Sequence, residues 1–189
     1  SKYHYDQLYN VLPSNYRKKL VSAEDLSIAW IETRTDLEMT IFAQLVEISS
    51  SIIREAFSTK VITPGITTTD DVVWWMREKV LDLGLDTWFH PSVDVQREDN
   101  SDLYAFDGLS KFDIIQPGDL IHCDFGITYL TLNTDTQELG YILKPGEVNA
   151  PDYLINALKE GNRVQDIFTN NFKQGVTGNE ILKKSLAQG

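Results

Sequence analysis

Residues 119–135 are Asp119-Leu-Ile-His-Cys-Asp124-Phe-Gly-Ile-Thr-Tyr-Leu-Thr-Leu-Asn-Thr-Asp135. Their alternation of apolar and polar residues predicts a β-hairpin that carries Asp124 on its first strand and Asp135 on its second. The two-residue period of a strand places Leu120, His122, Asp124 and Gly126 on one face, and Ile121, Cys123, Phe125 and Ile127 on the other. If the strands pair so that Asp124 lies opposite Asp135, their Cβ atoms lie about 4.5–5.5 Å apart.

Two carboxylates at that distance repel each other unless a cation lies between them or one of them is protonated. A divalent metal ion is the most economical explanation. The alternative, a pair of solvent-facing strand aspartates, stays open on spacing alone.

The hairpin resembles the metal-binding hairpin of the M24 metallopeptidases, the pita-bread enzymes that include methionine aminopeptidases, Xaa-Pro aminopeptidases, prolidases and creatinase. Three features carry the resemblance: the Pro-Gly-Asp lead-in that ends at Asp119, the Asp-x-Gly step at 124–126, and the second aspartate at Asp135. The resemblance extends from about Arg34 to the last residue.

The resemblance implies two divalent ions (Mn, Co or Zn), with Asp124 chelating one and Asp135 bridging both. A His and two Glu would complete the ligands, at positions expected beyond Gly189, where the unidentified catalytic residues are also expected. The family's substrate-contacting His precedes the metal hairpin, and His90 is a possible counterpart. However, residues 97–112 contain no His.

The helical segments form a repeated pattern. Apolar positions at helical spacing predict helices over 36–57 and 151–172, each followed by a glycine, a Thr and an acid three residues later, and then a second helix. The two predicted capping boxes are Thr67–Asp70 and Thr177–Glu180, in which the Thr and the acid satisfy free N–H groups at the helix start.

The repeat and the resemblance predict an α+β pita-bread fold whose first α/β half is complete and whose second half is present only as helices. We expect a linker over 1–35 that follows a missing N-terminal domain, a first repeat over 36–150 and the helical part of a second over 151–189. The chain is then a truncated piece of an M24 catalytic domain, covering 36–189.

Composition excludes several classes of function. The formal net charge of −11 over 189 residues argues against a nucleic-acid partner. No apolar stretch is long enough for a membrane span, and the first residues lack a signal peptide. The single cysteine, Cys123, fits a packed core thiol and a reducing compartment, so we expect a cytoplasmic protein.

Together these observations predict a metal-dependent aminopeptidase that cleaves Xaa-Pro bonds at peptide N-termini through water activated by two metal ions. For the fragment itself we expect no activity, millimolar-range metal binding, and a homodimer or other self-association. The alternative is a non-catalytic module that binds peptides or partner proteins on the same fold. His122 shares a strand face with Asp124, so we expect it either to support the metal ligands without binding the metal or to be plainly structural. We also expect Asp94, Glu98, Asp99 and Asp102 to form a solvated acidic loop.

Overall fold

The computed structural model describes residues 2–97 and 114–189. Its elements are α1 (Lys2–Val11), α2 (Ser14–Arg17), α3 (Glu24–Glu32), α4 (Asp36–Ala56), α5 (Thr69–Asp82), β1 (Asp86–Thr87), β2 (Ser92–Gln96), β3 (Leu120–Phe125), β4 (Ile127–Tyr129), β5 (Leu132–Asn133), β6 (Thr136–Tyr141), α6 (Asp152–Asn170) and α7 (Gly178–Leu186). The chain therefore has the predicted mixture of helices and sheet. The helices predicted over 36–57 and 151–172 are confirmed as α4 and α6.

The chain divides into two compact units, residues 1–43 and 44–189. The first contains α1–α3 and the start of α4, and α1, α2 and α3 bury no residue. The predicted division of the chain at 35/36 and 150/151 stays a prediction. No helix within 2–97 and 114–189 combines the length and apolar composition needed to cross a bilayer.

Among the described residues of the second unit, the strand pairs are antiparallel and form two three-stranded sheets, ordered β2-β3-β6 and β1-β4-β5. The apolar core comprises α4, α5 and one face of the first sheet, with Ile52, Ile53, Val72, Met76, Val80, Ile121, Cys123 and Phe125 buried. Each large apolar side chain buried here contributes about 1.5–3 kcal/mol. Burial alternates strictly along β3, which confirms the predicted assignment of its faces.

The register of the hairpin differs from the expectation. Asp124 pairs with Gln137, and Tyr129 pairs with Leu132, so the turn residues are Leu130 and Thr131. Asp135 lies between β5 and β6, outside both strands and two positions before Gln137. At this register it is a diagonal neighbour of Asp124, for which Cα separations are about 7–8 Å. The expected direct pairing of the two aspartates is wrong by two residues.

The first capping box is also displaced by one residue. Thr68 and Asp71 form it, because the buried Thr67 hydroxyl accepts a hydrogen bond from the Thr63 amide at 2.9 Å. The predicted box of Thr177 and Glu180 is confirmed. Both turns that precede these boxes contain a glycine with positive φ, Gly65 at 84° and Gly175 at 81°, a conformation that favours glycine.

The acidic loop is partly misplaced as well. Asp94 lies on β2 and is only 4% exposed, so it is not part of a solvated loop. The run Ser92-Val-Asp-Val has the alternation of a strand, and β2 pairs along its whole length with β3. Glu98, Asp99 and Asp102 lie outside the described residues.

Candidate metal centre

Asp124 lies on the half-buried face of β3, near the end of the strand. Its Oδ2 accepts a long hydrogen bond of 3.4 Å from Nε2 of Gln137. Its Oδ1 is buried and has no hydrogen-bond partner within the described residues. A buried carboxylate oxygen without a donor is unfavourable, and it is an oxygen that a cation would stabilise.

The pKa of Asp124 is raised above its ordinary value. Burial is the main cause, and the neighbouring Asp135 carboxylate adds to it, while His122 acts in the opposite direction. Asp124 and Asp135 therefore interact directly, although their residues are not paired in the ladder. The structure brings the two predicted metal ligands together on one face.

Thr134 is 1% exposed, and its contacts hold the backbone next to Asp135 in place. The Thr134 hydroxyl lies 2.6 Å from the Ser49 hydroxyl on α4 and accepts a hydrogen bond from the Ile127 amide at 3.0 Å. The Thr134 amide donates to the Ile127 carbonyl at 2.9 Å. These contacts hold the backbone while the Asp135 side chain remains exposed.

Gly126 explains why the motif requires glycine after Asp124 and Phe125. A Cβ at this position would lie 2.2 Å from the Thr134 carbonyl oxygen and 2.8 Å from Cε1 of Phe89. Only glycine allows the second strand to approach this closely. The Asp-x-Gly step therefore sets the distance between the two aspartates.

The Pro-Gly-Asp lead-in has a structural role. Asp119 is fully buried, and its carboxylate receives Nε of Arg97 at 2.7 Å, a second Arg97 nitrogen at 2.8 Å and the Gln116 amide at 2.7 Å. This forked ion pair secures the start of β3.

Gln137 and His122 lie beside Asp124 and contact each other. The motif did not predict this contact. The His122 Nε2 lies 3.1 Å from Oε1 of Gln137, whose amide group also contacts Asp124. The two-residue period of a strand places Gln137 on the face of Asp135, but its contact with Asp124 depends on the register of the strands.

His90, the candidate substrate contact, lies beside α5. Its Nδ1 is 3.0 Å from the Arg77 guanidinium, and its ring meets the Trp74 ring edge-on at 6.5 Å. A role for His90 in substrate binding stays a prediction.

The donor set fits one side of a site for a hard divalent cation. Asp124 and Asp135 supply carboxylate oxygens, the ligand type that suits Mn²⁺ and similar ions. Within residues 2–97 and 114–189, no group of three or more His, Cys, Asp or Glu side chains could hold a metal ion. Two carboxylates provide about four oxygen ligand positions in total.

No protein-family profile matches the sequence, and no curated protein matches it. Among solved structures, the chain is similar to an X-Pro aminopeptidase from Thermotoga maritima, with a TM-score of 0.67 and 20% identity over 85% of this chain and 43% of that chain. A second similar structure is a prolidase from Thermococcus sibiricus, with a TM-score of 0.46 and 16% identity over 74% of this chain and 34% of that chain.

The first similarity establishes the class of fold: the chain has an M24-like, α+β pita-bread fold, as the hairpin predicted. The chain spans less than half the length of that aminopeptidase.

Proposed function

We propose that this chain provides the two-aspartate side of a dinuclear metal site in an aminopeptidase that cleaves Xaa-Pro bonds at peptide N-termini. The observation that carries the proposal is the interacting pair Asp124 and Asp135, together with the buried Oδ1 of Asp124, which has no hydrogen-bond partner among the described residues. The fold shared with an X-Pro aminopeptidase supports the same assignment.

The electrostatics of the hairpin favour a cation over a purely structural pair. Burial and the like charge of Asp135 both destabilise the ionised form of Asp124. In a chain whose net charge is −11, placing two of its carboxylates together adds to the repulsion. A divalent ion would remove both penalties at once.

In this proposal Asp124 and Asp135 would hold the ions through their carboxylates, as the family resemblance implies. When bound, divalent ions polarise the scissile carbonyl and lower the pKa of a coordinated water. The residues of this chain hold the ions in place: Gly126 and Thr134 fix the spacing of the two carboxylates, and Asp119 secures the start of the strand.

The described residues supply too few ligands for tight binding, so we expect millimolar-range affinity of the 189-residue chain for Mn²⁺. Isothermal titration calorimetry measures this directly. Micromolar binding would show that other residues of the chain complete the site.

The activity is tested in the longest natural polypeptide that contains this chain, with an Ala-Pro-initiated peptide and added Mn²⁺. Asp124→Asn and Asp135→Asn should each lower the rate of release of the first residue by at least about 100-fold, because each removes a charged metal ligand. The matched control is Asp152→Asn, an exposed acid in the first turn of α6, which should leave the rate unchanged.

Two outcomes contradict the proposal. Unchanged hydrolysis in both hairpin variants would separate the aspartates from the activity. Metal-independent peptide binding without any hydrolysis would favour the alternative, a non-catalytic binding module.

A further inference from the structure

Three side chains form a continuous line across β3 and β6 on the face that carries Asp124. The His122 Nε2 lies 3.1 Å from Oε1 of Gln137, and Nε2 of Gln137 donates to Oδ2 of Asp124 at 3.4 Å. His122 and Asp124 are two residues apart on β3, and Gln137 lies directly opposite Asp124. One amide therefore spans the gap between an imidazole and a carboxylate.

The chemistry of the three groups fixes the direction of both hydrogen bonds. An ionised carboxylate only accepts hydrogen bonds, so the amide nitrogen of Gln137 must face Asp124. The amide oxygen then faces His122, and the imidazole Nε2 must carry a hydrogen. The amide cannot rotate by 180° without placing its oxygen against the carboxylate and losing both contacts.

We propose that Gln137, held by His122, is a positioning residue that fixes the orientation of the Asp124 carboxylate. The Gln137 amide donates a hydrogen bond to Oδ2 of Asp124. The buried Oδ1, which has no hydrogen-bond partner among the described residues, is then the oxygen available to a cation. This inference rests on the proposed function, since it assigns a role to two residues around the same metal site.

The inference accounts for two features that a structural role alone leaves unexplained. A polar chain of this kind lies on the same face as the aspartates, whereas the opposite face of β3 is entirely apolar. Gln137 is exposed on β6, so its side chain contributes little to the core. Groups that orient metal ligands commonly change metal affinity by about tenfold or more when removed.

The first test needs no metal. Nitrogen-15 chemical shifts of the His122 ring in the metal-free chain, measured above the titration range of histidine, should show hydrogen on Nε2 in the wild type. The Gln137→Ala variant should shift the Nε2 resonance of this ring, because the hydrogen bond from Nε2 to Oε1 is removed. A wild-type ring with its hydrogen on Nδ1 would overturn the hydrogen-bond chain and the inference with it.

The second test measures Mn²⁺ affinity by paramagnetic broadening of the hairpin amide resonances. Gln137→Ala should weaken binding by about tenfold. His122→Phe keeps a ring of similar size, removes the donor, and should weaken binding in the same direction. In a double-mutant cycle, the effects of His122→Phe and Gln137→Ala should be less than additive, because part of the influence of His122 passes through the amide.

The matched control is Gln96→Ala, which removes the same amide from the same sheet face on β2, where Gln96 pairs with Leu120 rather than with Asp124. The affinity of the Gln96→Ala variant for Mn²⁺ should equal that of the wild type. Circular dichroism and the thermal midpoint establish that each variant is folded.

The failure of this inference differs from the failure of the proposed function. If Asp124→Asn weakens Mn²⁺ binding but Gln137→Ala behaves like Gln96→Ala, the metal site stands and the positioning role is refuted. If Asp124→Asn leaves binding unchanged, both are refuted.

Discussion

The sharpest prediction concerns Gly126, where adding one methyl group should open the hairpin. A Cβ at this position would lie 2.2 Å from the Thr134 carbonyl oxygen. Ordinary carbon contacts lie at about 3.5 Å. The second strand must therefore retreat by about 1 Å, and the obstructing atom belongs to the backbone, which cannot rotate away as a side chain would.

The cost of Gly126→Ala follows from this displacement. Overpacking of a tight site costs about 1–3 kcal/mol. Movement of Thr134 also weakens its two hydrogen bonds to Ile127, at 2.9 and 3.0 Å, each of which contributes about 1 kcal/mol. We expect a loss of about 3 kcal/mol, or a fall of about 6–12 °C in the thermal midpoint for a chain of this size.

The assay is thermal and urea unfolding followed by circular dichroism, with Gly161→Ala as the matched control. Gly161 lies inside α6, and a Cβ there would meet no atom within 4 Å. Alanine at this helical position should stabilise the protein by about 0.5–1 kcal/mol. If Gly126→Ala retains the wild-type midpoint, the argument that this glycine sets the spacing of the aspartates is refuted.

In metal-free buffer, Asp124→Asn should stabilise the protein at pH 7 by about 0.5–1 kcal/mol, because it relieves repulsion from Asp135. Since the folded pKa of Asp124 is raised, its contribution to stability is fully present below the unfolded pKa and declines as pH rises through the folded value. In urea unfolding, the stability gain of Asp124→Asn over the wild type should therefore be larger at pH 7 than at pH 4. Asp119→Ala should cost about 2 kcal/mol by urea unfolding, because it removes the buried acceptor of the Arg97 guanidinium and of the Gln116 amide. Burial, with smaller effects from nearby carboxylates, raises the pKa of the Cys123 thiol to about 12, so an aromatic disulfide reagent at pH 8 should react with it only after unfolding.

Each of these predictions has an outcome that would contradict it. A gain in stability at pH 7 that persists unchanged at pH 4 would remove the pH argument for Asp124. Equal effects of Asp119→Ala and of Asp152→Ala, an exposed control, would show that the ion pair contributes nothing. Rapid labelling of the native thiol would show that β3 opens readily.

The sequence predicted the faces of the hairpin because apolar and polar residues alternate from Ile121 to Phe125. It did not predict the register, since the turn residues Leu130 and Thr131 lack the Asn-Gly or Asp-Gly pair that marks a two-residue turn. Leu130 nevertheless adopts a φ of 55°, a conformation unusual for a residue with a side chain. Tertiary packing therefore sets the register, through the buried Leu132 and Thr134.

The capping box shows a similar limit. Thr67, Thr68 and Thr69 are consecutive, and Asp70 and Asp71 follow them, so spacing alone allows either of two boxes. Burial decides between the two boxes. The Thr67 hydroxyl accepts a hydrogen bond from the Thr63 amide within the turn, so Thr68 caps the helix with Asp71. The role of Gln137 was missed for a related reason: its contact with Asp124 depends on the register.

The most direct test of the metal site is a titration of the nitrogen-15-labelled chain with Mn²⁺, observed as paramagnetic broadening of each amide resonance. We predict that broadening begins at the amides around residues 124 and 135 and is lost in Asp124→Asn and in Asp135→Asn, but not in Asp152→Asn. Broadening that spreads evenly over the acidic surface of a chain with net charge −11, and that persists in both hairpin variants, would contradict a shared cation between the two aspartates.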